Sequence, residues 1–145
     1  MSRATPQMRE LSQRLIAYEA RENKSPPTGI SAIFRVCDKL RSHLGLLLGN
    51  SGFRALLSRA LVLSHREVPW LSAVQTKPDG LLDGLDEAAA QVGVDEMDQG
   101  SVVLVTQLLG LLMNFIGEDL TLRMVRELWP KLSLNNAVFE QGDRQ

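Results

Sequence analysis

Residues 100–116 read GSVVLVTQLLGLLMNFI, and they form the most apolar part of the chain. The stretch 102–117 contains no charged residue and would be about 24 Å long as a helix. Crossing a bilayer takes about 20 apolar residues, and the charged residues Asp98 and Glu118 stand on either side of this stretch. A helix that is apolar on nearly all sides needs other helices around it. We therefore predict a buried central helix and no membrane span.

The N-terminal part of the chain carries the first amphipathic pattern. Thr5 is a favourable N-cap, and Pro6 is a favourable first helical residue. The pattern stops at Asn23, and its apolar positions at helical spacing are Met8, Leu11, Leu15 and Tyr18. The following segment KSPPTG, residues 24–29, contains two prolines that a helix interior does not accept, so we predict a linker there.

Two further helices are predicted over residues 31–48 and 51–67. The dipeptide Gly49-Asn50 separates them, and Ser51 is a suitable N-cap for the second helix. A turn this short predicts an antiparallel helical hairpin. The residues expected to face the core are Ile33, Phe34, Cys37, Leu40, Leu44, Leu47 and Leu48 in the first helix, and Phe53, Leu56, Leu57, Ala60, Leu61 and Leu63 in the second.

The region after Pro69 is richer in turn signals. We expect turns over residues 73–84 with a brief strand at 73–76, a short helix at 85–92 and a break at 93–98. Gly117 is expected to end the central helix. Glu118 then begins a last helix that reaches Pro130, because an acidic first turn suits the helix dipole.

These elements together predict an all-α fold. The chain, residues 1–145, is expected to form a single domain, an irregular bundle of about five helices around the central hydrophobic helix. Within it we assign residues 1–23 to the N-terminal helix, 24–29 to the linker, 30–134 to the helical core and 135–145 to a polar tail.

The composition is that of an average soluble domain, with 44% apolar and 23% charged residues among 145. A single cysteine, Cys37, excludes a disulfide scaffold, and the apolar content excludes a chain that is disordered throughout. Residues 1–7 contain no apolar run of the kind that a signal peptide needs. We therefore expect a cytoplasmic protein.

The charges are distributed unevenly along the chain. Residues 1–66 contain 11 Lys and Arg against 4 Asp and Glu, a net charge of +7, whereas residues 67–145 contain 5 against 13, a net charge of −8. The densest acidic run lies over residues 79–98. In one interpretation, this acidic segment folds back on the basic helices or both regions are simply solvated. In the other, one of the two regions is an interaction surface for a protein partner or for a second copy of the chain.

The candidate interaction surface combines these charges with the two tryptophans, which are enriched in binding hot spots but also fill the cores of small helical proteins. Nucleic acid is disfavoured as a partner, because the acidic half would repel phosphates and no nucleic-acid-binding fingerprint is present. The candidate residues are Arg35, Arg41, Arg54, Arg59, Arg66, Asp83, Asp86, Glu87, Asp95, Glu96, Trp70 and Trp129.

No constellation of catalytic residues is apparent in the sequence. The only histidine bases are His43 and His65, and the glycines around Ser51 do not have the spacing of a nucleophile elbow. Cys37 falls on an apolar helix stripe, where a thiol behaves as a small hydrophobic group. Metal-ligand spacings and glycine-rich phosphate loops are also missing. We predict a protein that is not an enzyme and that has no metal and no cofactor.

The two histidines support an alternative hypothesis of a signalling sensor or phosphorelay module. Phosphorelay domains are helical bundles with one exposed histidine, and His43 lies in a predicted helix, although the Lys-Gly pair of that family does not follow it. The run from Ser64 to Pro69 resembles the histidine box of sensor kinases, but its proline is one residue too close to His65. His43 and His65 are therefore the candidate phosphoacceptors.

The sequence favours a non-enzymatic interaction, regulatory or adaptor module that docks on a protein partner and forms a homodimer. Small residues four apart, Gly45 with Gly49 and Thr106 with Gly110, permit close helix contacts. A two-fold dimer would also cover any apolar face that a single chain leaves open. The second alternative is a bundle that binds a small apolar ligand, with an adaptable lining from Met97, Met113 and Met124.

Overall fold

The computed structural model describes residues 6–23, 29–77, 82–84, 87–88 and 90–130, and 83% of these are helical. This confirms the all-α prediction. The elements in chain order are helix α1 (Pro6–Asn23), helix α2 (Gly29–His65), a short 3-10 helix (Pro69–Ala73), strands β1 (Gln75–Thr76) and β2 (Leu82–Asp83), helix α3 (Val94–Ile116) and helix α4 (Glu118–Leu128).

Helix α1 has the bounds that the sequence predicts. It begins at Pro6, whose missing N–H is not needed in the first helical turn, and it ends at Asn23. The predicted N-cap Thr5 and residues 24–28 of the predicted linker lie outside the described residues. Gly29 was assigned to the linker as well, but it is already the first residue of α2.

Helix α2 combines the two helices predicted on either side of Gly49. Gly49 has φ 77° and ψ 164°, a conformation that favours glycine, and it interrupts the helix without an intervening loop. The antiparallel arrangement of the two segments remains a prediction.

The core face of α2 departs from the sequence pattern at its last turn before Gly49. Leu40 and Leu44 are buried as predicted, but Leu47 is 61% exposed. Its assignment to the core was wrong, and the neighbouring Leu46 is 87% exposed as well, so the last turn before Gly49 leaves these two side chains uncovered. The side chain of Phe34 lies outside the described part of the structure.

A small hairpin follows α2. The 3-10 helix starts at Pro69, and β1 then pairs with β2 in antiparallel register, with Gln75 opposite Asp83 and Thr76 opposite Leu82. The strand predicted over residues 73–76 is therefore confined to its second half. Of the short helix predicted at 85–92, the structure shows helical backbone at Glu87 and Ala88.

Helix α3 starts at Val94, so the break predicted over residues 93–98 is wrong. The carboxylate Oε1 of Glu96 accepts a hydrogen bond from the backbone N–H of Gly93 at 3.3 Å, which satisfies one of the free donors at the start of the helix. Asp95 and Glu96 also place negative charge at its positive end. These capping interactions extend the helix by a turn and a half beyond its apolar part.

Helix α3 packs against α1, α2 and α4. The hydroxyl groups of Thr106 on α3 and Ser12 on α1 share a buried hydrogen bond of 2.9 Å. Near the start of α3, the ring of Trp70 lies so close to Gly100 that a Cβ added there would be 2.4 Å from Cζ2 of the tryptophan. Gly100 thus permits the 3-10 segment to pack directly on the α3 backbone.

Candidate interaction surface

Most large apolar side chains of the described residues are buried, and four that are not lie near the two glycine interruptions. Leu46 and Leu47 lie three and two residues before Gly49 and are 87% and 61% exposed. Phe115 precedes Gly117 and Leu120 follows it, and they are 62% and 42% exposed. Single exposed apolar residues are common on protein surfaces, but a group of them indicates an interaction site.

Two contacts determine how α4 runs past the first half of α2. The Nζ atom of Lys39 is 5.4 Å from the centroid of the Trp129 ring, and Nε2 of His43 is 4.0 Å from Oε1 of Glu127. From the first contact to the second, the residue number rises on α2, from Lys39 to His43, and falls on the other side, from Trp129 to Glu127. The two helices are therefore antiparallel here. Continued for another turn, this register brings Leu46 and Leu47 beside residues 123–124 of α4, about one turn from Leu120. We call Leu46, Leu47, Phe115 and Leu120 the apolar patch.

The exposed side of α4 carries charges in a definite order. Glu118 and Asp119 occupy the first turn, and Arg123 and Arg126 follow in the next two turns. Within the described part of the chain, none of these four side chains forms an ion pair. The exposed side of α4 is therefore negative in its first turn, whereas its later turns carry the two arginines together with Glu127, which lies against His43.

A buried charged cluster attaches the far end of α4 to the rest of the bundle. Glu19 is 2% exposed, and its Oε2 accepts a hydrogen bond from Nε1 of Trp129 at 2.7 Å and lies 2.5 Å from Nζ of Lys39. The same ammonium group lies 5.8 Å from the centroid of the Tyr18 ring, which is within cation–π distance. This cluster joins α1, α2 and the residue after α4, and it fixes the antiparallel register described above.

The buried cluster was missed by the sequence analysis, although one signal for it was present. Glu19 continues the buried series Leu11 and Leu15 at the i+4 spacing of one helix face. A carboxylate at such a position requires a partner. The sequence does not say that the partners are Lys39 and Trp129, which lie 20 and 110 residues away.

The candidate residues for the interaction surface fall into different environments. Trp129 is completely buried in the charged cluster and so is not on the surface, and Trp70 is half-buried against Gly100. Arg41 is half-buried and pairs with Asp38 at 2.8 Å. Asp86 lies outside the described residues. The exposed candidates are Arg35, Arg54, Arg59, Arg66, Asp83, Glu87, Asp95 and Glu96.

The described ion pairs do not connect the acidic segment to the basic helices. Arg9 on α1 pairs with Glu67 at 3.1 Å, but Glu67 precedes that segment. Asp83, Glu87 and Asp95 form no ion pair in the part of the chain that the structure describes, and neither do Arg35, Arg59 and Arg66. Their charges face solvent and are accessible to another molecule.

The two histidines are half-buried in helix α2, and both remain predictions as phosphoacceptors. His43 lies at the contact with Glu127 already described. His65 is the last residue of α2 and lines an open groove that extends back to Arg54.

The thiol of Cys37 is completely buried. Burial, with a smaller contribution from the charge of Asp38, raises the pKa of this thiol to about 12, so it is protonated at neutral pH. Among the residues that the structure covers, no three His, Cys, Asp or Glu side chains converge as they would around a metal ion.

The chain matches no protein-family model, no curated protein and no solved structure. Within the part of the chain that the structure describes, two helical spans are long and apolar enough to cross a membrane, Arg35–His65 and Asp95–Ile116. In the second span 67% of the most apolar window is buried inside the fold, against 22% in the first. Core helices of soluble proteins satisfy the same criterion, so these spans are weak evidence for a membrane location.

Proposed function

We propose that this chain is a non-enzymatic helical interaction module that forms a homodimer through the apolar patch. The observation that carries the proposal is the exposure of Leu46, Leu47, Phe115 and Leu120 beside the glycine interruptions. Burying these side chains against a second copy would remove apolar surface from water, which is the main driving force for association. The proposed architecture has five helices, four of them around α3, with α2 counted as two at Gly49.

The charge order on α4 supports a second copy as the occupant of the patch. In a two-fold dimer both protomers use the same surface, and if residue i of one protomer contacts residue j of its partner, then residue j of the first contacts residue i of the partner. Two α4 helices that pack antiparallel therefore place Glu118 and Asp119 of one protomer opposite Arg123 and Arg126 of its partner. The interface would be self-complementary in charge as well as in apolar character.

The same dimer leaves two unpaired arginines at the end of α2 available for a regulatory partner. Arg59 lies in the last two turns of α2, Arg66 directly follows its last residue, His65, and both arginines are exposed. A partner with an acidic surface would complement these charges, which would mainly increase the rate and specificity of association. We therefore propose docking of an acidic protein partner as the function of the dimer.

Reciprocal charge reversal on α4 tests the proposed dimer. One variant carries Glu118→Lys and Asp119→Lys, and the other carries Arg123→Glu and Arg126→Glu. Each variant alone places like charges across the two-fold axis, so its dimer should weaken by about tenfold or more at low salt. A mixture of the two variants restores both sets of opposite charges and should dimerise like the wild type, as measured by light scattering.

The proposal would be contradicted if the mixture stayed as monomeric as each variant alone. A second contradictory result would be two variants that dimerise as well as the wild-type chain. Arg59→Glu with Arg66→Glu is the matched control, since it also changes two exposed arginines but lies outside the proposed interface. This control should leave dimerisation unchanged.

A further inference from the structure

An open groove with a volume of about 360 Å³ lies away from the apolar patch. One wall is the face of α2 from Arg54 to His65, and the other is the segment of residues 71–76. Pockets for small molecules usually have volumes from about 300 to 1,000 Å³, so the groove fits a small ligand.

The middle of the groove is apolar. Leu61 and Val62 face it from α2, and Leu71 and Val74 face it from the opposite wall. Leu61, Leu71 and Val74 are buried in the fold, whereas Val62 is 43% exposed at the edge. A hydrocarbon chain or ring bound here would gain mainly by covering Val62, because the other three side chains are at most 5% exposed.

One end of the groove carries an ordered set of hydrogen-bonding groups. The hydroxyl groups of Ser58 and Thr76 are 2.9 Å apart, and Nε of Arg54 donates a hydrogen bond to Oγ1 of Thr76 at 3.3 Å. This bond orients the guanidinium group of Arg54 at the end of the groove. The two terminal nitrogens of Arg54 have no partner among the described residues, so they can donate two parallel hydrogen bonds to a carboxylate.

The length of the groove also limits the ligand. Arg54 and His65 are eleven residues apart on α2, which corresponds to about 16 Å along the helix axis and to nearly the same face. A ligand anchored at Arg54 would therefore extend over the apolar floor for roughly this distance before it reached His65.

We propose that this groove binds a small amphipathic carboxylate. Its carboxylate would pair with Arg54 and accept a hydrogen bond from Ser58, and its apolar part would lie on Leu61, Leu71 and Val74. The anchoring end has one positive charge, which matches the single negative charge of a carboxylate better than the double charge of a phosphate monoester. This site is separate from the dimer interface, and its ligand binding does not depend on self-association.

Titration with octanoate, below the concentration at which it forms micelles, tests the proposal directly. Binding is followed by calorimetry and by the backbone amide shifts of the groove residues. Arg54→Gln should weaken octanoate binding by about tenfold or more, because it removes a charge-assisted pair of hydrogen bonds. Ser58→Ala should weaken it by a smaller factor. Arg59→Gln is the matched control, since Arg59 is exposed on the same helix but faces away from the groove, and it should leave binding unchanged.

Ligands of equal chain length identify the group that is recognised. Octylamine should bind far more weakly than octanoate, and octyl phosphate should bind no more tightly. The proposal is overturned if no groove amide responds to octanoate, if octylamine or octyl phosphate binds more tightly than octanoate, or if Arg54→Gln and Arg59→Gln reduce binding equally. Wild-type and variant chains are titrated at one protein concentration. The difference in octanoate affinity between them therefore tests the groove whether the chain is a monomer or a dimer.

Discussion

At the scale of single residues, Glu19 shows where the hydrophobic pattern and the structure disagree. The carboxylate lies at a core position of α1, and it is accepted there because Trp129 and Lys39 satisfy it. The pattern identifies the buried position, but the two partners depend on how distant parts of the chain pack. Sequence reasoning could have found the need for a partner and could not have named it.

Replacing Glu19 by Gln should destabilise the protein by about 2 kcal/mol. The change leaves Lys39 without its charged partner and weakens the hydrogen bond of Trp129. The Lys39 side chain is 38% exposed, so part of its charge remains solvated and the loss is smaller than for a fully buried pair. Urea unfolding followed by tryptophan fluorescence measures the effect.

Glu10→Gln is the matched control for this prediction. Glu10 pairs with Arg14 at 3.2 Å on the surface of the same helix, and its loss should cost less than about 0.5 kcal/mol. Equal effects of the two changes would show that the Glu19 cluster is not a buried anchor.

Cys37 should resist alkylation in the folded protein and react only on unfolding. Its pKa of about 12 leaves almost no thiolate at neutral pH, and its side chain is inaccessible. In the unfolded chain the pKa of this thiol is near 9.0, so the group makes unfolding easier as pH rises from 9.0 toward 12. Mass spectrometry after iodoacetamide treatment, with and without urea, checks the reactivity. Rapid modification without urea would contradict the burial of this helix face.

At the scale of secondary structure, glycines determine where several helices begin and end. Sequence analysis located the interruptions at Gly49 and Gly117, since glycine is the residue that most readily adopts positive φ. The start of α3 is not predicted, because Gly93 and the acidic residues after it also fit the pattern of a break between helices. The hydrogen bond between Gly93 and Glu96 instead caps the helix. Only the position of the Glu96 side chain relative to the Gly93 backbone distinguishes a helix start from a break.

Gly117→Ala should lower the free energy of unfolding by about 1–2 kcal/mol. Gly117 has φ 95°, whereas no atom lies within 4 Å of a Cβ added there, so the cost comes from the backbone conformation alone. Gly93→Ala is the control, because Gly93 has φ −79° and equally open surroundings. The control should change stability by less than about 0.5 kcal/mol. A Gly117 variant as stable as the Gly93 variant would contradict the positive φ of Gly117 between α3 and α4.

At the scale of the whole molecule, the sequence predicted the helices and most of the buried residues but not the surface. Buried positions such as Leu44 and Leu108 follow from local periodicity. Leu47 follows the same periodicity and is exposed, because burial also depends on where neighbouring elements end. The candidate surface therefore differs from the charged set predicted from sequence, and its apolar part follows only from the exposure of Leu46, Leu47, Phe115 and Leu120 in the folded chain.

The central claim is that the apolar patch holds two copies of this chain together. Light scattering coupled to size exclusion, at low and at high salt, measures the mass of the wild-type chain and of two variants. The first variant, Leu46→Glu with Phe115→Glu, places charges in the patch at exposed positions that the fold tolerates. The second, Val62→Glu, changes an exposed apolar residue of α2 outside the patch and is the control.

We expect the wild-type chain and the control to have a mass of about 32 kDa, twice the chain mass of 16.1 kDa, at both salt concentrations. High salt should weaken the charged contacts of α4 but strengthen apolar association, so the dimer should persist. The patch variant should have the mass of a single chain. A wild-type chain that is monomeric at both salt concentrations, or a patch variant that dimerises as well as the control, would contradict the account.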